Sequence, residues 1–134
     1  MVKVTTLKRI FHPKGDVYHA LKASEPSFTE FGEAYFTTVH KKDVKGWKKH
    51  TKMTMNLLVP MGDVSFFIHN EQENSTQVFR VNEGNYVRLT VPPGYWVAFK
   101  GHADKNLILN VASLEHDPEE AINVPLSVYS LEES

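Results

Sequence analysis

Short runs of alternating apolar and polar residues, each closed by a glycine, proline or asparagine turn, constrain this chain more than any other feature of its sequence. A period of two puts the apolar side chains on one face of an extended backbone, as in a strand buried on one side only. Such runs occupy residues 2–7, 33–39, 53–59, 64–69, 77–81, 86–91, 96–100 and 107–112. Turn signals separate them: Pro60-Met61-Gly62-Asp63, residues 70–75, Asn82-Glu83-Gly84-Asn85, Pro92-Pro93-Gly94 and residues 101–105. Eight strands at this spacing predict an all-β sandwich or barrel. Helical periodicity is weak, and only residues 117–121, with Pro118 in the first turn, predict a short helical turn. The chain has no long amphipathic helix, no GxGxxG, no Walker loop and no nucleophile elbow.

With 134 residues the chain can bury a full core without a metal or a disulfide, and no seam or repeat divides it, so one domain over 1–134 is expected. The absence of cysteine removes disulfides, thiolate nucleophiles and sulfur-rich zinc sites. The opening MVKVTTLKRIF alternates rather than forming a signal-peptide core, and no apolar run is long enough to span a bilayer, so a cytoplasmic protein without membrane association is expected. Fifteen basic and sixteen acidic residues nearly cancel, which disfavours bulk attraction to nucleic acid. One cluster stands out: Lys41, Lys42, Lys45, Lys48, Lys49 and Lys52, interleaved with Trp47 and His50. Such runs are ordinarily solvated surface. Asn74-Ser75-Thr76 fits the glycosylation rule but lacks the secretory context that would use it.

Within the lysine cluster, Lys45-Gly46-Trp47-Lys48-Lys49-His50 leads toward the strand at 53–59. If it is extended, Lys48 and His50 project to one face and Lys49 to the other. The Pro92-Pro93-Gly94 turn delivers Tyr95-Trp96-Val97-Ala98-Phe99, which either lines a cavity or fills a core.

The run EAYFTTVHKKDVKGWKKHTKMTMNLLVPMG, residues 33–62, resembles the corresponding stretch of cupin enzymes of nucleotide-sugar metabolism. These are dTDP-4-dehydrorhamnose 3,5-epimerase and the dTDP-sugar 3,4-ketoisomerases. Lys45-Gly46-Trp47 matches their Arg-Gly-aromatic step, the spacing from His50 to Gly62 suits the ketoisomerase pattern, and Gly84 through Pro92-Pro93-Gly94 resembles their second motif. The likeness covers residues 15–118. It implies a cupin-type jelly roll (double-stranded β-helix), a homodimer, and action on a keto sugar carried by a nucleotide, in surface polysaccharide synthesis. Some positions depart from the pattern. Lys48 stands where those enzymes carry the catalytic histidine, His50 keeps the second histidine of the pair, and Val97 replaces a histidine after the Pro-x-Gly turn. The epimerase tyrosine falls at Asn110, Glu115 or His116, and no C-terminal acidic partner for the base is identifiable. Only His50 occupies a metal-ligand position, so neither a metal nor another cofactor is expected.

Epimerising or isomerising a 4-keto sugar starts with loss of a proton beside the carbonyl, which needs a base and a group that stabilises the enolate. A histidine titrates near neutral pH in its ordinary state and suits the base role, assigned to His50. An ordinary lysine, near 10.4, would need to fall to about 7 at a cost of roughly 4 kcal/mol to serve as a base. Lys48 is therefore cast as the cation that polarises the ketone or grips the diphosphate. Lys45, Trp47, Asn56, Tyr95 and Asn110 are the candidate substrate contacts, the aromatics by stacking and the asparagines by hydrogen bonding. Asn56, six residues beyond His50, shares the face of Lys48 and His50 if the strand continues without a bulge, with Asn110 on the last strand as its counterpart across the pocket. The residues also allow a non-catalytic module that binds a sugar nucleotide or another small ligand, and an interaction scaffold built on an exposed sheet.

Overall fold

A computed structural model describes residues 1–133. Two five-stranded antiparallel sheets enclose a common apolar interior. The first sheet runs in the order β1 (Lys3–Thr6), β9 (Val87–Val91), β6 (Met55–Met61), β11 (Leu107–Ala112) and β4 (Glu33–Thr38). The second runs β12 (Ala121–Asn123), β5 (Val44–His50), β10 (Trp96–Gly101), β7 (Asp63–Asn70) and β8 (Ser75–Asn82). A two-stranded ribbon, β2 (Arg9–Ile10) with β3 (Val17–Tyr18), stands apart from both. Neighbouring strands are mostly distant in sequence, as in a jelly roll.

The alternation in the sequence becomes the two inner faces. Leu57 and Val59 of β6 with Val87, Leu89 and Val91 of β9 meet Val64, Phe66 and Ile68 of β7 and Val97 of β10. Burying each such side chain contributes about 1.5–3 kcal/mol, so this interior is the main source of stability. Central strands are covered on their outer faces as well. On the second sheet, Trp47, Phe67, Trp96 and Ala98 pack under Val124, Leu126, Tyr129 and Leu131 of the C-terminal segment. On the first sheet, the buried Arg88 guanidinium donates to Asn56 Oδ1 at 3.0 Å, Ser27 Oγ at 2.6 Å, Glu25 Oε2 at 2.7 Å and the Ala20 carbonyl at 2.6 Å. These bonds tie residues 20–27 across the sheet, and the Arg88 bond holds the Glu25 carboxyl below its ordinary value against the opposing effect of burial.

Several elements differ from the sequence expectation. The ribbon and β12 were not expected, because their strands have only two or three residues and carry no alternation. The turn at 60–63 narrows to Gly62 alone, at φ +108°, with strand on both sides. A Cβ there would lie 2.5 Å from the Lys105 carbonyl, which excludes other residues. The expected helical turn is a 3-10 turn, Pro118–Glu120, capped by the Asp117 side chain on the Glu119 amide.

Candidate active site

Between β5 of one sheet and β4 and β11 of the other, the interior opens into a cavity of about 320 Å³. Its floor is apolar: Met55, Leu57, Val97, Phe99 and Ile108. Its polar lining is Tyr35, Thr37, Lys45, Lys48, His50, Asn110 and Asn123.

A bulge in β5 creates the cationic wall. Val97 pairs with Lys48 and Phe99 with Lys45, so β10 advances two residues while β5 advances three. Strict alternation would put Lys45 on the face opposite Lys48 and His50; the extra residue brings all three to the cavity. Gly46 makes this possible, with φ +145° and only 2.6 Å between the position of a Cβ and that of Ala98. Lys49 faces away and binds Glu71 at 3.0 Å.

His50 is 7 % exposed, and its Nδ1 lies 2.7 Å from Glu120 Oε1. The other oxygen of Glu120 accepts the amides of Lys52 at 2.9 Å and Met53 at 3.0 Å. Burial pushes this carboxyl up, but the hydrogen bonds from His50 and the two amides outweigh it and hold Glu120 below its ordinary value. An ionised carboxylate only accepts, so the neutral imidazole carries its proton on Nδ1. Nε2 keeps its lone pair and has no hydrogen-bond partner among the described residues.

The facing wall is prepared differently. Asn110 Nδ2 donates to the Tyr35 hydroxyl at 2.9 Å, while Asn110 Oδ1 accepts the Asn56 amide at 3.2 Å. The Tyr35 hydroxyl proton is left free for a ligand. Lys45 Nζ reaches across to Thr37 Oγ1 at 3.0 Å and the Thr38 carbonyl at 3.2 Å.

Of the residues singled out in the sequence, Lys45, Lys48, His50 and Asn110 share this cavity, whereas Trp47, Asn56 and Tyr95 lie elsewhere. Trp47 is on the outer face of β5, fully buried, with its indole N–H bonded to the Leu126 carbonyl at 3.1 Å, and has no ring surface to offer a ligand. The Asn56 side chain belongs to the Arg88 network, because the chain breaks between β5 and β6 rather than continuing as one strand. Tyr95 packs half-buried against the interior cluster. The acidic partner for His50, not identified from the sequence, is Glu120. Its signal was the Asp117-Pro118-Glu119-Glu120 turn, but nothing local shows that this turn folds back 70 residues onto His50. Tyr35 and Thr37 were legible only as alternate positions of one strand. Among the described residues no three His, Asp or Glu side chains form a metal-binding group.

No family model matches the chain, and no curated protein matches it. Solved structures do. A dTDP sugar isomerase from Desulfovibrio desulfuricans G20 superposes with a TM-score of 0.90 at 28% identity, over 95% of this chain and 85% of that one. A sugar 3,4-ketoisomerase from Thermoanaerobacterium thermosaccharolyticum, in complex with TDP, gives 0.79 at 20% identity over 90% and 86%. A dTDP-6-deoxy-D-glucose-3,5-epimerase from Legionella pneumophila, in complex with dTDP-4-keto-L-rhamnose, gives 0.82 at 14% identity over 93% and 73%. The chain therefore has the cupin-type jelly roll of the dTDP-sugar isomerases and epimerases, the group its sequence resembles.

Proposed function

We propose that this chain is a nucleotide-sugar epimerase or ketoisomerase that acts on a dTDP-4-keto-6-deoxyhexose by removing a proton beside the ketone. The observation that carries this reading is the His50–Glu120 pair, a buried imidazole whose outer nitrogen is held bonded and whose inner nitrogen is left to a cavity lined by two lysines. His50 Nε2 takes the proton, the C–H electrons form the enolate double bond, and the carbonyl oxygen receives the charge. Glu120 stabilises the imidazolium so formed, and the Lys48 ammonium stabilises the enolate oxygen. Tyr35, supplied by the opposite sheet, donates its hydroxyl proton to the enolate from the other side. Return of a proton to the same carbon on that side gives an epimer, while proton transfers that move the carbonyl give a ketoisomer.

The cavity lies at the small end of the range for ligand sites, which suits a hexose inside with its diphosphate and nucleoside at the mouth near Lys45 and Lys48. Structural neighbours bound to TDP or a dTDP-sugar support the same class of ligand. The proposal extends to a cytoplasmic homodimer in surface polysaccharide synthesis. Terminal strand β1 leaves one edge unpaired, and Val4, Ile10, Phe11 and Val17 are exposed apolar residues that a second copy would cover. Lys48, standing where the resembled enzymes carry a histidine, favours the second reading of a module that binds without turnover.

Incubation with dTDP-4-keto-6-deoxyglucose, followed by proton NMR of the sugar, tests both readings. Appearance of an epimer or 3-keto isomer supports the enzyme. Saturable binding with unchanged sugar supports the module, and neither binding nor conversion rejects both.

A further inference from the structure

Among the polar groups of the cavity, most already have protein partners. Tyr35 accepts from Asn110, Thr37 accepts from Lys45, and His50 Nδ1 is held by Glu120. Besides His50 Nε2 and the hydroxyl protons of Tyr35 and Thr37, the Lys48 and Asn123 side chains are left without a hydrogen bond to any described residue. These two are direct cross-strand partners: β12 pairs antiparallel with β5, matching Asn123 to Lys48 and Ala121 to His50. Opposed residues in such a pair hold their Cβ atoms about 4.5–5.5 Å apart and on the same face. The C-terminal strand thus places a small methyl beside the proposed base and a carboxamide beside the proposed cation. Ile122 between them turns to the outer face opposite Lys49. Two residues along a strand span about 6.6 Å, comparable to a pyranose ring. A sugar with its reacting carbon over His50 therefore extends to Asn123.

We infer that Asn123 is a specificity-determining residue, whose carboxamide recognises a ring hydroxyl that the reaction leaves in place. The inference rests on the nucleotide-sugar reading above and adds a residue to it. An ammonium only donates, so Lys48 matches a carbonyl or phosphate oxygen. A carboxamide both donates and accepts, as a hydroxyl does, and the two satisfy each other. A site that hydrogen-bonds a substrate hydroxyl rejects analogues without it more strongly than a purely apolar site can.

Calorimetric titration of wild type and Asn123→Ala with dTDP and with dTDP-glucose tests this. Asn123 is exposed, so its variants are expected to melt with the wild type. Asn123→Ala is expected to weaken dTDP-glucose about five- to tenfold, the worth of one hydrogen bond, and to leave dTDP within about twofold. With a turned-over substrate, Asn123→Ala raises KM while kcat stays near wild type. Equal weakening of both ligands, or of neither, overturns the assignment while leaving the nucleotide-sugar reading intact. If wild type binds neither ligand, the nucleotide-sugar reading fails, and this inference fails with it.

Discussion

Replacing Glu120 with glutamine changes a single atom at the centre of the site and tests the role given to His50. The carboxylate accepts three hydrogen bonds, one from His50 and two from the Lys52 and Met53 amides. Glutamine has one accepting oxygen, and the two amides, which can only donate, claim it. Its NH2 then faces His50 Nδ1, which must accept, so the imidazole proton moves to Nε2 and the nitrogen in the cavity loses its lone pair. General base catalysis contributes about 10²–10⁴ in rate, and a drop of that order is expected. Folding stability falls by about 1.5–3 kcal/mol at neutral pH, the worth of a hydrogen bond to a charged group. Because the folded Glu120 carboxyl sits below its ordinary value, this contribution is present above the unfolded value near 4.3 and is lost as pH falls through the folded one. The stability gap between wild type and Glu120→Gln therefore narrows on acidification. Long-range ¹H–¹⁵N spectra of the histidine ring report the tautomer directly. A Glu120→Gln protein that keeps the proton on Nδ1, or that keeps wild-type turnover, refutes the reasoning.

Arg88→Met removes a fully buried guanidinium from Asn56, Ser27, Glu25 and the Ala20 carbonyl, and urea unfolding is expected to show a loss of about 3–5 kcal/mol. The acid-sensitive part carried by Glu25, present above the ordinary carboxyl range and lost as pH falls below it, disappears in the same variant. Gly46→Ala forces a Cβ into Ala98 at a positive φ; ligand binding is expected to suffer more than the fold, with dTDP affinity down at least tenfold by calorimetry, because the bulge that aims Lys45 must shift. Trp47→Phe keeps the packing under Tyr129 but drops the bond to the Leu126 carbonyl, costing about 1 kcal/mol in thermal unfolding with dTDP affinity unchanged.

The sheets were legible because burial on one face imposes period two, and the runs at 64–69, 96–100 and 107–112 fall within β7, β10 and β11 almost residue for residue. Lys48 and His50 were paired correctly on one face by the same rule. The rule failed where the backbone departs from it. Lys45 joins them only through a bulge, which the sequence marks with nothing more than Gly46. Asn56 was placed by counting along a strand that in fact breaks after His50. Trp47 was read as a ligand contact because aromatic type does not reveal which face a side chain takes, and its cover comes from residues 124–131. Glu120 and Asn123 escaped for a related reason: β12 joins the sheet through a pairing with β5 more than 70 positions away, and three residues carry no periodic signal. The parts of the site written in local pattern were readable, and those assembled by long-range pairing were not.

Solvent deuterium entering dTDP-4-keto-6-deoxyglucose at the carbon beside its ketone, followed by NMR with wild type and His50→Asn side by side, isolates proton abstraction from every later step. Fast exchange with wild type, and a loss of at least a hundredfold in the variant, is the expected result. Wild-type protein that binds the sugar nucleotide yet washes in no deuterium, or a His50→Asn variant that exchanges as fast as wild type, contradicts it.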